Sequence, residues 1–172
     1  VSAIASAPAR MLDRLGLGAT LATEGCPIAA IRVADGGREP QLWFRAAGDS
    51  PEPLGLMLEN RALRRALLDR IAAEPAIRLL APAAARTIDF GPLAVQAELD
   101  DGTRIAAPLA VAADGRDSAL RRQAGIRLAR WTYRAHALVG TFAHQHPHDG
   151  VAAELFFPDG PVAQLPMRDL ED

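Results

Sequence analysis

Apolar and polar residues along this chain follow one of two rhythms, and the rhythm changes where glycine, proline or Asp-Gly pairs interrupt it. Met11, Leu12 and Leu15 fall on one helical face behind Pro8, which a first helical turn tolerates, and Gly16 supplies a stop. A short helix over residues 8–15 is predicted. Leu63, Leu67 and Ile71 recur behind Asn60, a good N-cap, while Arg64, Arg65 and Asp69 face elsewhere; this predicts a helix over 61–73 that ends before Pro75.

The shorter period takes over from Pro27. Ile31 and Val33, then Asp35-Gly36-Gly37, then Leu42 to Phe44 predict a hairpin. A second is predicted where Leu93, Val95, Ala97 and Leu99 alternate up to Asp101-Gly102 and residues 104–106 restart, with the short apolar run 77–80 ahead of it. Residues 109–113 are apolar on both faces, as a strand covered on both sides would be, and lead through Asp114-Gly115 into a helix-like stretch 118–124. Residues 133–142, 152–157 and 162–165 predict three strands of an antiparallel meander. No internal repeat is present.

Composition narrows the function classes. The 172 residues are 49% hydrophobic and 23% charged, enough apolar mass for a core and too much for disorder or collagen. Nineteen basic residues against 21 acidic leave a net charge of -2, with no electrostatic footprint for nucleic acid or an anionic membrane surface. Every basic residue is arginine, which excludes a P-loop lysine, a Schiff-base lysine and a lysine general base. Cys26 stands alone, so the sequence offers no internal disulfide or cysteine-rich zinc site, and a reducing compartment is expected. The longest apolar run, 105–113, contains Pro108 and is too short to span a bilayer; with no signal-peptide pattern, the expected location is cytoplasmic. The chain starts at Val1 and ends in Asp169-Leu170-Glu171-Asp172 after a strand-like run, so it is expected to be a piece of a longer one.

Three candidate chemistries fall away. Gly16-Leu17-Gly18-Ala19-Thr20-Leu21 begins like a dinucleotide fingerprint but lacks the last glycine and follows a helix. His144, His146 and His148 would share one side of an extended strand. Pro147 and Asp149-Gly150 break that strand, so these histidines and His136 are expected as loop residues and no metal is predicted. Ser118, His136 and Asp114 can be assembled into a triad only on paper, since Ser118 lacks a nucleophile-elbow pattern.

The strong signal is Ala113-Asp114-Gly115-Arg116-Asp117-Ser118-Ala119-Leu120-Arg121-Arg122-Gln123-Ala124-Gly125-Ile126. A buried strand here delivers a carboxylate and a flexible glycine to the mouth of a helix, where backbone donors and Arg121 can hold an anionic group or a ribose hydroxyl. An ordinary Asp-Gly turn before a capped surface helix has the same spacing, and spacing alone favours that plainer reading.

With other stretches added, the pattern resembles a family. Asp114-Gly115-x-x-Ser118-x-x-Arg121-x-x-x-Gly125-Ile126 resembles the middle signature of class A flavoprotein aromatic hydroxylases, those similar in fold to p-hydroxybenzoate hydroxylase. Glu59-Asn60-Arg61-x-Leu63-x-x-x-Leu67, Met11-Leu12-x-x-Leu15-Gly16-Leu17 and Phe156-x-Pro158-x-Gly160-Pro161-x-Ala163-x-Leu165-Pro166 narrow the resemblance to the ubiquinone-biosynthesis hydroxylases, in the family's order along nearly the whole chain.

The resemblance implies an α+β fold: an antiparallel substrate-binding sheet with part of an FAD-binding α/β domain. Residues 1–26 would be an FAD-domain helix remnant, 27–58 a substrate-domain hairpin, 59–126 the middle of the FAD-binding domain and 127–172 substrate-domain strands. Asp114 and Gly115 would lie against the FAD ribose and pyrophosphate, Arg121 would receive NAD(P)H phosphates, and Asn60 would approach the flavin nucleotide from the start of its helix. The family uses FAD, NAD(P)H and oxygen to hydroxylate a phenolic ring. No catalytic side chain is singled out, because the cofactor carries the chemistry while the protein positions and excludes water.

The implied substrate is a small hydrophobic aromatic molecule, a polyprenyl-phenol. Peripheral association with the inner membrane or a ubiquinone-biosynthesis complex, and a homo-oligomer, are compatible with the resemblance. The family's opening Gly-x-Gly-x-x-Gly, its acidic adenosine-ribose residue and its later Gly-Asp segment have no counterpart in these 172 residues, and no arginine precedes Arg10; flavin binding is expected to draw on segments outside them. A non-catalytic homologue binding a hydrophobic ligand or a partner hydroxylase is the alternative. A third reading, a hydroxylase for a soluble aromatic acid or a polyketide, fits the stretch from Gly160-Pro161 to Leu165-Pro166 less well. Phe156, Phe157, Leu165 and Pro166 are expected in the core.

Overall fold

A four-residue strand that no alternation announces, β5 (Gly55–Leu58), is the middle of the first of two units. The computed structural model describes residues 1–46, 52–133 and 135–168; its units are Val1–Arg78 with Phe142–Asp172, and Leu79–Thr141. In the first, β5 pairs antiparallel with β1 (Ser2–Ala5) and with β2 (Cys26–Ile28). Leu58 packs with Ile4, Leu21 and Ala62, while Met57 packs with Cys26, Ile28 and Ala152. Burial on both faces is why the strand reads as a plain apolar run rather than an alternation. Gly55 is required by proximity: a Cβ there would lie 2.5 Å from the Ile4 carbonyl oxygen.

The predicted first helix is α1 (Ser6–Leu12), followed by a wide π-type turn, Asp13–Leu17, and a second helix, α2 (Gly18–Glu24). Gly16, at φ +90°, does end the regular helix, but burial of Leu17 and Leu21 restarts it, a tertiary effect outside local propensity. The predicted second helix is α3 (Asn60–Ala72), with Ala73 closing it before Pro75. Asn60 is not its cap. Glu59 has the extended N-cap backbone, and Asn60 is the first helical residue, with Oδ1 accepting from Ser2 Oγ at 2.6 Å. Leu63, Leu67 and Ile71 are half-buried, and Ala62 is the fully buried residue of this helix.

The second sheet has the order β10-β9-β3-β4, made of β3 (Ala30–Asp35), β4 (Leu42–Arg45), β9 (Val151–Phe157) and β10 (Gly160–Gln164). The β3–β4 hairpin forms as expected, and Pro158-Asp159 closes β9–β10. The expected three-stranded meander does not form. The other edge of β9 is taken by β3 in parallel register, Ala30↔Val151 to Asp35↔Phe156, so β9 has no edge left for residues 133–142. The described residues of that stretch are irregular and exposed; Arg134 lies outside the described residues. Pro166 is buried as expected, whereas Phe156, Phe157 and Leu165 are 50%, 40% and 45% exposed, since no described element covers them.

The second unit carries β6 (Ala85–Phe90), β7 (Val95–Leu99) and β8 (Arg104–Ala107), all antiparallel, with β7–β8 turning at Asp101-Gly102 as predicted. The third strand is β6, not the run 77–80, which is irregular and exposed. Gln123 at the end of α4 (Ala119–Gln123) accepts from the Ile88 amide at 2.9 Å and ties the helix to β6. Residues 109–113 form no strand. Leu109 and Val111 are largely exposed because a strand apolar on both faces needs cover on both, and the described sheets offer it no partner. No described helix is long and apolar enough to cross a membrane.

Candidate functional site

The segment that carried the strongest sequence signal folds as a tight turn into α4. Gly115 has φ +83°, a left-handed conformation that side chains disfavour, and a Cβ there would meet no atom within 4 Å; the backbone, not packing, requires glycine. The Gly115 carbonyl accepts from the Ser118 amide at 3.2 Å and closes the turn. Asp114 Oδ2 then accepts from the amides of Ala119 at 2.8 Å and Leu120 at 3.2 Å, and Ser118 Oγ accepts from the Arg121 amide at 2.9 Å. Two side chains thereby satisfy three of the orphan donors of the first helical turn.

This geometry sets the electrostatics. The Ser118 side chain, followed by the Leu120 and Ala119 amides, holds the Asp114 carboxyl below the usual carboxylate range against an opposing desolvation effect. Asp117 is also held low, first by its hydrogen bond from Arg130 and then by that residue's charge, with Arg116 and Arg121 adding to it. Arg122 Nη1 donates to the Asp117 carbonyl at 2.7 Å, and Arg121 Nη1 to the Arg116 carbonyl at 3.0 Å. Three guanidinium groups, those of Arg121, Arg122 and Arg130, thus bond to residues 116 and 117 of the turn. Arg121 Nε is buried without a hydrogen-bond partner among the described residues.

Asp114, Gly115 and Arg121 thus fall together in one turn and helix of the second unit, and the helix-mouth donors expected to face a ligand are engaged by the chain's own Asp114 and Ser118. Asn60 belongs to the first unit. It edges an open depression of about 420 Å³ on α3, lined also by Arg61, Arg64, Arg65, Leu68 and Asp69. Arg61 reaches Glu59 at 3.1 Å.

The sequence reading missed the Asp117–Arg130 pair, because Arg130 lies beyond the end of the motif, 13 residues after Asp117. His148 does lie in a loop, as expected, but it is not a surface residue: it is half-buried and both ring nitrogens have hydrogen-bond partners.

Among curated proteins, the ubiquinone hydroxylase UbiL of Rhodospirillum rubrum is 45% identical over 166 residues, covering 96% of this chain and 38% of that protein. The chain belongs to the ubiquinone-biosynthesis hydroxylase family. Another relative is the 3-demethoxyubiquinol 3-hydroxylase of Escherichia coli, 30% identical over 171 residues, 98% of this chain and 43% of that protein. The chain spans less than half the length of these curated relatives. Its fold matches that of PqsL from Pseudomonas aeruginosa, solved with 2-aminobenzoylacetate, with a TM-score of 0.83 over 96% of this chain and 46% of that one at 24% identity. No family model matches the chain. The α+β architecture expected of the hydroxylase family is therefore the one observed, with a parallel β3–β9 pairing inside the otherwise antiparallel second sheet.

Proposed function

We propose that this chain is part of an FAD-dependent monooxygenase that hydroxylates the aromatic ring of a polyprenyl-phenol in ubiquinone biosynthesis, using NAD(P)H and O2. The observation that carries this reading is the 45% identity to a ubiquinone hydroxylase over nearly all of the chain. FAD would supply the redox and oxygen chemistry. Residues 59–126 and 1–26 would belong to its binding domain, and 27–58 and 127–172 to the substrate side.

Gly115 fits an approach by the cofactor, because the space beyond its Cα is clear of described atoms. Asp114 would meet the flavin ribose and pyrophosphate region only by sharing a carboxylate that already caps α4. Arg121, with Nε unpartnered, would receive NAD(P)H phosphates, and Asn60 would approach the flavin nucleotide from the first turn of α3. We further propose a cytoplasmic protein, peripheral to the inner membrane or to a biosynthetic complex and able to form homo-oligomers.

Disrupting the gene tests the reaction. A ubiquinone precursor lacking one ring hydroxyl should accumulate in lipid extracts by mass spectrometry, and unchanged ubiquinone with no such precursor refutes the reading. Arg121→Ala in the complete enzyme tests the nicotinamide assignment. Loss of a charged hydrogen bond to phosphate raises the Michaelis constant for NAD(P)H about ten- to a hundredfold while coupling to product holds. An unchanged constant with reducing equivalents diverted to peroxide moves Arg121 to the oxygen or substrate side.

The engaged donors at the start of α4 favour a second reading, a non-catalytic homologue that binds a hydrophobic ligand or a partner hydroxylase. Asp114→Ala separates the two. Under the enzyme reading it weakens cofactor use, and under the second it only loosens α4.

A further inference from the structure

His148 lies in the turn ahead of β9, beside the cluster of Cys26, Ile28, Met57 and Ala152 in the first unit. Its Nδ1 is 3.0 Å from the Gly150 amide nitrogen; its Nε2 is 3.0 Å from the Met167 carbonyl oxygen and 3.9 Å from Cys26 Sγ. A backbone amide can only donate and a carbonyl can only accept. These two neighbours fix the ring as the neutral tautomer with its proton on Nε2: Nδ1 accepts from Gly150 and Nε2–H donates to Met167.

Both partners hold larger pieces in place. The Gly150 carbonyl accepts from the Ala29 amide at 2.8 Å, so the turn that opens β9 is docked on the β2–β3 connection. Met167 belongs to the segment 165–168 that follows β10. In it Pro166 is fully buried, the Met167 side chain packs on the same cluster, and Arg168 Nη2 donates to the carbonyls of Ala22 at 3.2 Å and Gly25 at 3.4 Å, beside the end of α2. This segment is a strap from the second sheet to the first, and the His148 ring joins it to the β9 turn.

We propose that His148 is a proton-operated clamp: neutral, it binds the strap 165–168 to the turn ahead of β9, and protonation at Nδ1 opens it. A proton on Nδ1 turns the acceptor into a donor facing the Gly150 N–H and places a cation beside an apolar cluster. The ring must then leave its seat, and the Met167 bond goes with it. On the packed elements, β2 presents the Cys26 thiol, the strap carries Arg168 with its guanidinium directed to the α2 carbonyls, and the turn carries Asp149. On β9, Glu154 shares the face of Ala152; strand alternation puts Arg32 of β3 on the other face, and β5 has no charged residue.

The test is an NMR titration of the 172-residue chain with labelled histidine and methionine methyls. At neutral pH the His148 ring should carry its proton on Nε2. As this ring titrates, the Met167 methyl should move to its solvent-exposed position and Gly150 amide protection should fall about tenfold. The His144→Gln/His146→Gln double variant should respond like the parent chain. In His148→Gln, which keeps a donor for Met167 but cannot take up the proton, both signals should stay flat across the same range. A ring protonated on Nδ1 at neutral pH, or Met167 and Gly150 signals that do not move while the ring titrates, overturns the proposal. The parent chain's titration decides the matter even if His148→Gln does not fold.

Discussion

In the first unit, Ile4, Leu21, Leu58 and Ala62 form one buried cluster and Cys26, Ile28, Met57 and Ala152 another, so both faces of β5 are covered. In the second, Leu99 is the buried apolar side chain among the described residues, while Leu109, Val111, Trp131 and Tyr133 stand largely in solvent. The two stretches of sequence are alike in apolar content, so hydrophobicity does not explain the difference. Layers do: a sheet and helices face each other in the first unit, whereas the second has a three-stranded sheet with one five-residue helix against it. The segment from Asp114 to Arg121 therefore takes its shape from hydrogen bonds and ion pairs rather than from a core.

That contrast is open to direct attack. Leu58→Ala should lower the unfolding free energy of the chain by about 2–5 kcal/mol, through lost transfer energy and a cavity that the surrounding layers cannot close. Leu99→Ala, in the thinly layered second unit, should lower it by less than half as much. Urea denaturation of both variants provides the check, and equal losses would mean that the second unit has a core of its own.

Two glycines sharpen the same point at a smaller scale. Gly55→Ala sets a methyl 2.5 Å from the Ile4 carbonyl, backbone against backbone, and should cost about 1–3 kcal/mol with loss of amide protection along β1. Gly115→Ala meets no atom, so its cost is the left-handed backbone alone, about 1–2 kcal/mol, confined to the turn before α4. Loss of protection along β1 in Gly115→Ala would contradict the separation.

What could be read from sequence divides along similar lines. The β3–β4 and β7–β8 hairpins and α3 were legible because each carries its own periodicity and turn residues. β5 was not, because burial on both faces erases alternation, and neither was the β3–β9 pairing, which joins residues far apart in sequence. Residues 109–113 and 133–142 have strand-like sequences but no described partner; a strand is a property of a pair. At the candidate site, Asp114, Gly115, Ser118 and Arg121 share one turn and the helix it opens, as their spacing implied. The motif could not show that Asp114 and Ser118 turn their oxygens onto the helix, because a cap and a ligand site need the same residues at the same spacing.

Removing the cap separates those two uses. Ser118→Ala leaves the Arg121 amide without its acceptor and should cost about 1 kcal/mol, read as faster hydrogen exchange in the first turn of α4 with β1, β5 and β2 unchanged. Faster exchange throughout the chain would show that α4 is tied into global stability, against the picture of a turn held locally.

The smallest effects are those of single charges at the surface of the second unit, and they have a definite sign. Asp114, Asp117 and Asp101 all have folded-state carboxyls held below their ordinary range, so the stabilisation each provides is present above the ordinary value and is lost as pH falls through the lowered one. On acidification the start of α4 should loosen while the cluster of Ile4, Leu21, Leu58 and Ala62 in the first unit keeps its protection. The causes differ, which makes the carboxyls separable. Arg130→Gln should return Asp117 towards the ordinary carboxylate value, because Arg130 is its leading influence, with little change in Tm since the pair is exposed. Asp114 should not move in that variant, because the Ser118 side chain leads there, and it should rise in Ser118→Ala. Carboxyl carbon NMR titrations of the two variants resolve this. If Asp114 rises with the loss of Arg130, the turn is governed by its arginines together, and the local hydrogen-bond account of the site fails.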